Sequence, residues 1–265
     1  MTTLIEKLPP GVCVLDLGAR SGSFDTDRVD ITVIRLDLEP PLRRKAGTYV
    51  RGDAARLPLA RACFAMVISN HSLEHFAELD ETLLEVARVI RPDGVFYVAV
   101  PDAGTFTDRL YRWMAKGGGH VNRFHSATEV ATRVERLTGL PHRATVPLFS
   151  SLSFLNAHNF TARPPRKIAL FGFGNERFLA VFMWCLRCVD GWFGTRLSRY
   201  GWAFYFGSYR PPERIENWIN VCVRCGSGHS EVFLKKKGAI PPLPSRFDWY
   251  RCPVCGGVNL LTHEK

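Results

Sequence analysis

The chain has 265 residues, 46% hydrophobic and 23% charged, with a formal net charge of +10 at pH 7, which allows one large globular domain with an appendage and excludes a disordered or fibrous chain. The longest apolar stretch, FLAVFMWCL at 178–186, is far short of the ~20 residues that cross a bilayer, so no membrane span is expected. The first ten residues, MTTLIEKLPP, lack the apolar segment of a secretory signal, which makes a cytoplasmic location the expectation.

Residues 12–17 (VCVLDL) and 31–36 (ITVIRL) read as short buried strands, the second ending at Asp37. A third short strand is predicted around Tyr49 and Val50, and a fourth from Phe64 to Ser69. LDETLLEVARVI at 79–90 has helical spacing, with Leu83, Leu84, Val86, Ala87 and Ile90 on one side. RPDG at 91–94 should stop that helix in a turn, because Pro92 cannot continue the ladder, and VFYVAV at 95–100 is a fifth strand. Another helix is expected near 105–116, before the glycines at 117–119. SATE at 126–129 has capping-box form and opens a helix that should end near Gly139. Residues 143–150 are a sixth strand. Residues 151–199 read as an insertion, mostly helical around 175–190, and YGWAFYFG at 200–207 resumes a strand. Strands alternating with helices predict a parallel sheet covered on both faces. Pro211 and Pro212 mark a linker.

The run VLDLGARSGSF at 14–24 places a glycine loop at the carboxyl end of the first strand, where open α/β sheets bind ligands. Gly18 and Gly22 permit a tight turn and close backbone approach. Asp37 follows at the tip of the second strand, where an acid can grip a ribose hydroxyl pair.

VLDLGARSGSF, RLDLEP (35–40), GDAARLPL (52–59), FAMVISNHSLEHF (64–76) and EVARVIRPDGVFYVAVP (85–101) together resemble class I S-adenosylmethionine-dependent methyltransferases of the type 11 kind, over roughly residues 11–140. HVNRFHSATEV at 120–130 resembles the segment after the fifth strand in that family. The resemblance implies a Rossmann-like, seven-stranded α/β methyltransferase sheet, with YGWAFYFG as an antiparallel strand between the fifth and sixth. It implies that Asp16 and the backbone of Gly18, Ala19, Arg20 and Gly22 hold the methionine end of the cofactor. Asp37 would accept hydrogen bonds from the ribose, beside Leu38. Asp53 and Ala54 would flank the adenine, with Asn70 and His71 at the floor of the site. Two departures stand out: Arg20 replaces a common glycine of the loop, and the crossovers after the first two strands are short.

The sulfonium of the cofactor is already electrophilic, so the protein must align an acceptor and exclude water. For a hydroxyl acceptor a general base helps, and His71 and His120 are the candidate catalytic residues, with His75 read as packing near a helix start. The place after the fourth strand reads SNHSLEH. It lacks the Asn/Asp-Pro-Pro-aromatic motif of base-methylating enzymes, which argues against nucleic-acid bases as acceptors.

Residues 161–265 carry 16 Lys/Arg against 7 Asp/Glu, while residues 1–160 are almost balanced. This asymmetry points to an anionic partner, or simply a solvated basic surface. Phe171, Phe173, Phe178, Phe182, Trp184 and Trp192 could line an apolar acceptor pocket, lie on a membrane surface with Arg163, Arg166, Lys167, Arg187, Arg196 and Arg199, or form the insertion's own core. Cys185 and Cys188 read as packed thiols.

Cys222-x2-Cys225 and Cys252-x2-Cys255 have the spacing of a zinc ribbon, four thiolates around a tetrahedral structural Zn2+. His229 reads as a bystander, and Lys235, Lys236 and Lys237 as an exposed loop or hairpin tip between the knuckles. The expected organisation is a methyltransferase domain over 1–210, with 151–199 as an aromatic cap inserted before the last strand, and a small C-terminal zinc ribbon over 219–265. The leading functional reading is methyl transfer from S-adenosylmethionine to a small-molecule, lipid or glycan-precursor acceptor. Two alternatives remain: an RNA or protein methyltransferase that uses the ribbon to bind the macromolecule, and a non-catalytic scaffold with a degenerate cofactor loop.

Overall fold

The computed structural model describes residues 2–20, 22–24, 29–41, 46–114, 119–159, 174–210, 218–241 and 248–263. After a short helix α1 (Thr2–Ile5), the strands β1 (Cys13–Leu17), β2 (Thr32–Asp37), β3 (Thr48–Arg51), β4 (Phe64–Asn70), β5 (Ile90–Pro101), β6 (His142–Phe149) and β7 (Arg199–Gly207) form one seven-stranded sheet. Its order is β3-β2-β1-β4-β5-β7-β6. The pairs β1–β2, β1–β4, β2–β3 and β4–β5 are parallel. β7 runs against β6: the Gly207 amide bonds Pro141 O at one end, and the Ser150 amide bonds Ser198 O at the other. The last strand is therefore inserted between the fifth and sixth in the opposite sense, as expected.

By Cα proximity the chain forms two compact units. Unit 1 comprises 1–103, 119–146 and 202–213, and unit 2 comprises 104–118, 147–201 and 214–265.

Unit 1 is the sheet with α2 (Leu79–Val89) and α4 (Ala127–Thr138). Its core joins Leu15, Leu17, Phe64, Val67, Phe96 and Val98 of the strands to Leu83 and Val86 of α2 and Val130 and Val134 of α4. Apolar residues three and four apart give each helix one buried stripe. Within α2 that stripe is Leu79, Thr82, Leu83, Val86 and Val89, while Leu84, expected on it, is 53% exposed. The Ser126 side chain accepts from the Glu129 amide, and Gly139 ends α4 at φ 68°, so both predicted caps are present. RPDG does not precede the fifth strand but bulges within it: Phe64 pairs with Ile90 and the next pair is Met66 with Val95. Arg91–Gly94 loop out between two paired residues, and the Gly94 carbonyl accepts from the Ser208 amide. The first crossover, residues 18–31, holds no helix among its described residues.

Unit 2 contains α3 (Phe106–Met114), α5 (Glu176–Phe193) and the cysteine segment. α5 starts at an Asn175 cap, whose side chain accepts from the amides of Arg177 and Phe178, and ends at Gly194 with φ 65°. Leu179, Ala180 and Met183 of α5 pack with Leu152, Leu155 and Val223, joined by Leu110, Met114 and Trp249. The cysteine segment forms two small hairpins, β8 (Asn220–Val221) with β9 (Gly228–His229), and β10 (Trp249–Arg251) with β11 (Val258–Leu260). Between them lies a helix, α6 (Glu231–Lys236). The lysine triplet thus ends a helix instead of tipping a hairpin. Ser230 caps it through the Phe233 amide, and Lys235 pairs with Glu231 one turn back.

Two expectations for the insertion change, and the described aromatics Phe182 and Trp184 follow the core alternative. Arg187 is 3% exposed and donates to Val221 O at 3.1 Å, so it does not face a lipid surface. Cys185 is exposed, not packed. Trp184 donates its indole N–H to Leu261 O, and Phe182 joins the unit's core. Phe178 and Trp192 are exposed at the two ends of α5. Phe171, Phe173, Arg163, Arg166, Lys167, Pro211 and Pro212 lie outside the described residues.

Candidate functional site

The carboxyl ends of β1, β2, β3 and β4 bring the glycine loop, Asp37, Asp53 and Asn70–His71 to one edge of unit 1, because parallel neighbours end on the same side. Asp16, in the last turn of β1, is fully buried. Its Oδ2 accepts from the Ser23 amide at 2.8 Å and pairs with the Arg35 guanidinium at 2.5 Å. Its Oδ1 is buried with no hydrogen-bond partner among the described residues. An ionised oxygen left bare in the interior is costly, so a donor from outside the chain fits this position.

The loop shape is enforced sterically. Gly18 has φ 68°, and a Cβ there would run into the Ser72 side chain, with Phe76 just behind at 3.1 Å. Ser72 in turn donates to Leu17 O and shares a 2.6 Å hydrogen bond with Ser69, which ties the tip of β4 to the tip of β1. Gly18 and Ala19 both donate to Leu36 O. Arg20 adopts φ 42°, the left-handed backbone a glycine would take without strain. Its amide donates to Asp37 Oδ2 at 2.7 Å. The guanidinium turns away, 63% exposed and 3.9 Å from Glu39. Arg20 therefore keeps the loop's backbone geometry and removes its side chain from the loop interior.

Asp37 also accepts from the Glu39 amide at 3.0 Å. A carboxylate has about four lone-pair sites, so it retains capacity for a ribose hydroxyl pair. Leu38 beside it is 61% exposed and presents an apolar face. Asp53 caps the next loop through the Ala55 amide at 3.0 Å, and Ala54 is buried beneath it. That loop is clamped from below: Glu85 accepts from the Leu57 amide, and Arg88 donates to the carbonyls of Leu57 and Leu59. The hydrogen bond and charge of Arg88 hold the Glu85 carboxyl below its ordinary value, against the effect of burial.

His71 is the first residue beyond Asn70 and has φ 56°, with its amide donating to Ala99 O. Left-handed backbone at a non-glycine residue is uncommon and concentrates at functional sites. Burial pushes its pKa down to about 4, with the nearby His120 and His75 adding to the effect. The ring is neutral at pH 7 and resists protonation, so it presents a lone pair without being a strong base. His75, read from sequence as mere packing, makes an edge contact with His120, ring centroids 4.9 Å apart.

The principal residue missed from sequence is Arg35. Its guanidinium reaches Asp16, Phe24 O and Ala46 O, so one side chain pins the glycine loop and both short crossovers. The available signal was an arginine inside the apolar run ITVIRL, which demands a buried acid.

In unit 2 the four predicted cysteines come together, with their Sγ atoms all within 4.8 Å of one another. Cys222–Cys255 and Cys225–Cys252 are each 3.7 Å apart. Tetrahedral bonds of about 2.3 Å to one ion place sulfurs about 3.8 Å apart. The two knuckles repeat one pattern: Cys222 N bonds Ser227 O and Gly226 N bonds Cys222 O, as Cys252 N bonds Gly257 O and Gly256 N bonds Cys252 O. Gly226 and Gly256 take φ 78° and 70°. Hydrogen bonds from Cys222 and Cys252 pull the Cys225 thiol far down, toward thiolate, while burial pushes Cys255 up to about 11. Arg187, buried nearby, has an Nε without a partner among the described residues. A buried cation of this kind calls for negative charge, and a set of metal-bound thiolates supplies it. His229 is not remote: its Nε2 lies 3.4 Å from Cys252 Sγ.

Residues 15–98 match the methyltransferase domain family model. The malonyl-[acyl-carrier protein] O-methyltransferase of Methylococcus capsulatus is 28% identical over 185 residues, covering 60% of this chain and 67% of that protein. A putative methyltransferase from an antibiotic biosynthesis pathway of Anabaena variabilis superposes with a TM-score of 0.53 at 15% identity, over 78% of this chain and 95% of its own. Phosphoethanolamine N-methyltransferase 2 of Haemonchus contortus, solved with S-adenosyl-L-methionine, gives 0.52 at 13% identity, over 79% and 51%. These likenesses show a shared fold. The chain spans between 26% and 67% of the length of the curated relatives it matches. Fold and family model agree: residues 15–98 match a methyltransferase domain, and the seven-stranded sheet that holds them is shared with solved methyltransferases. Among the described residues no helix is long and apolar enough to cross a membrane.

Proposed function

We propose that the chain transfers a methyl group from S-adenosylmethionine to a small-molecule, lipid or glycan-precursor acceptor. The observation that carries this is the bare, buried Oδ1 of Asp16 beneath a glycine loop whose far side is closed by Asp37. An ammonium group is the donor that such an oxygen requires, and the carboxylates of Asp37 and Asp53 suit ribose hydroxyls and an adenine amino group. The backbone of the Gly18–Gly22 loop would line the methionine end. When bound, the cofactor supplies an electrophilic methyl group. The chain's own contribution is to orient an acceptor near Asn70 and to accept its proton at a neutral imidazole, His71 or His120. The named acceptor of the Methylococcus relative is a malonyl group on an acyl-carrier protein, which supports an acyl-type acceptor here. In this reading acceptor selection falls to the 151–199 insertion of a 1–210 methyltransferase domain.

We assign a structural Zn2+ to Cys222, Cys225, Cys252 and Cys255, held by a ribbon over 219–265, in a cytoplasmic protein. A closed four-thiolate set leaves no position for substrate, so this ion serves folding. The excess of basic residues in 161–265 favours, as second reading, an anionic macromolecule such as RNA. Salt-sensitive RNA binding by the full chain would support it.

Calorimetric titration of S-adenosylmethionine into the zinc-loaded chain tests the first reading. Micromolar binding is expected, weakened tenfold or more in Asp37→Ala. A folded protein that does not bind the cofactor would overturn it.

A further inference from the structure

β4 ends in an unusual local sequence, His71-Ser-Leu-Glu-His75, and the segment that returns to it carries His120. Leu73–His75 form a single 3-10 turn, and two hydrogen bonds from the returning segment land on one carbonyl of that turn: Val121 N and Asn122 N both donate to Glu74 O, at 2.8 and 2.9 Å. The Asn122 side chain adds bonds to Leu73 O and Phe76 O, at 3.0 and 2.7 Å. These bonds fix the placement of His120 relative to Glu74 and His75. One carboxylate oxygen of Glu74 and one nitrogen each of His75 and His120 lie within 4.8 Å of one another.

Three features make this a built site. Glu74 is 1% exposed, so water screens little of its attraction for a cation beside it. His75 Nδ1 lies 3.0 Å from Gly119 O; a carbonyl only accepts, so the ring proton sits on Nδ1 and Nε2 keeps its lone pair. A backbone carbonyl holding the far nitrogen is how metal-ligating histidines are oriented. Gly119, at φ 76°, lets the chain turn tightly enough to set that carbonyl over His75.

We propose that Glu74, His75 and His120 bind a divalent transition-metal ion of the Zn2+ class, separate from the four-cysteine site. Two imidazoles and one carboxylate suit Zn2+, Co2+ or Fe2+ and disfavour Ca2+ and Mg2+, which take oxygen ligands. Bonds of about 2.0–2.2 Å require donors no more than about 4.4 Å apart, and the exposed ring of His75 has room to close the difference. Three protein ligands leave coordination positions open. Resting on the methyl-transfer reading, an acceptor oxygen would take one of them and His120 would act as ligand.

The experiment uses the full chain with its cysteine site first filled by one equivalent of Zn2+, confirmed by metal analysis. Co2+ is then titrated without cofactor and followed by calorimetry and visible absorption. A second equivalent is expected to bind with weak d–d bands and no sulfur-to-metal charge transfer, and to weaken tenfold or more in His75→Ala and in Glu74→Gln. His75 is exposed, so its variant tests the site even where Glu74→Gln fails to fold. Absence of a second equivalent in the wild type, or undiminished binding in His75→Ala, overturns the proposal. A second equivalent bound by a protein that ignores S-adenosylmethionine would sink the methyl-transfer reading and leave the metal site standing.

Discussion

Arg35 sits mid-strand between apolar neighbours and is fully buried. It spans Asp16, Phe24 O and Ala46 O, and so ties the first strand to both short crossovers. Short crossovers and a buried arginine are thus two aspects of one solution. Arg20 has a smaller role than its position implies. It contributes an amide to Asp37 and a strained φ, while its side chain faces solvent. Arg20→Gly should therefore leave the S-adenosylmethionine dissociation constant within about threefold, because the side chain stays out of the loop, and leave stability nearly unchanged, because relief of left-handed strain, about 1–2 kcal/mol, offsets the added freedom of the unfolded chain. Isothermal titration and a denaturant melt of the variant check both halves. The cofactor-side acids were legible because strand ends in a parallel sheet align, so spacing alone brings Asp16, Asp37 and Asp53 to one edge. Arg35 was not, because a motif search looks at loop tips and passes over a charge hidden in an apolar run. Glu74 was hidden by its neighbours: HSLEH draws attention to the histidines, and the returning His120, distant in sequence, completes the group around the acid.

At the scale of elements, α5 was legible as a helix but its packing was not. Aromatic and basic residues around its circumference fit a pocket wall, a lipid-facing surface or a core equally well. The structure distributes them: Leu179, Ala180 and Met183 inward, Trp184 to Leu261 O, Arg187 to Val221 O. Glu176, at the first turn, grips Arg224 through both oxygens, at 2.5 and 2.9 Å, and also accepts from the Val258 amide. Its carboxyl is held low by these partners despite burial. α5 is thus clamped to both cysteine knuckles by long-range pairs that no local pattern announces. Stripping metal with a strong chelator should loosen it, since a small cysteine-rich segment depends on its ion to fold. Hydrogen exchange read by mass spectrometry should show α5 amides tenfold or more faster after chelation, with β1 and β4 unchanged. Protection of α5 that survives chelation would refute a structural metal.

For the molecule as a whole, acidity is a more telling variable than salt. His71 is kept neutral in the folded state down to about pH 4, whereas its ordinary value is 6.5. Between these limits the unfolded chain takes up a proton that the folded chain refuses, so stability is full above about pH 6.5 and falls as pH drops toward 4. The loss amounts to at most about 3 kcal/mol. Urea midpoints at pH 7.5 and 4.5 should differ less in His71→Gln than in the wild type, and equal differences would show that His71 is not held neutral. Charge asymmetry along the chain, by contrast, names a kind of partner without locating it, since the basic residues of 161–265 are spread over helix ends, knuckles and residues outside the described set.

The threading of the chain through its two units has a consequence for synthesis. Neither unit is a continuous stretch, as each is assembled from three segments. β7 lies between β5 and β6 in the sheet but follows β6 by some fifty residues in the chain. A nascent chain therefore makes β5 and β6 well before the strand that joins them, and during that interval each presents an unpaired edge, a form prone to self-association. The long excursion through α5 must be translated before the sheet can seal, and both cysteine pairs emerge only afterwards. Translation order thus lets the sheet close before the second cysteine pair emerges, and places the greatest exposure to aggregation between those two strands.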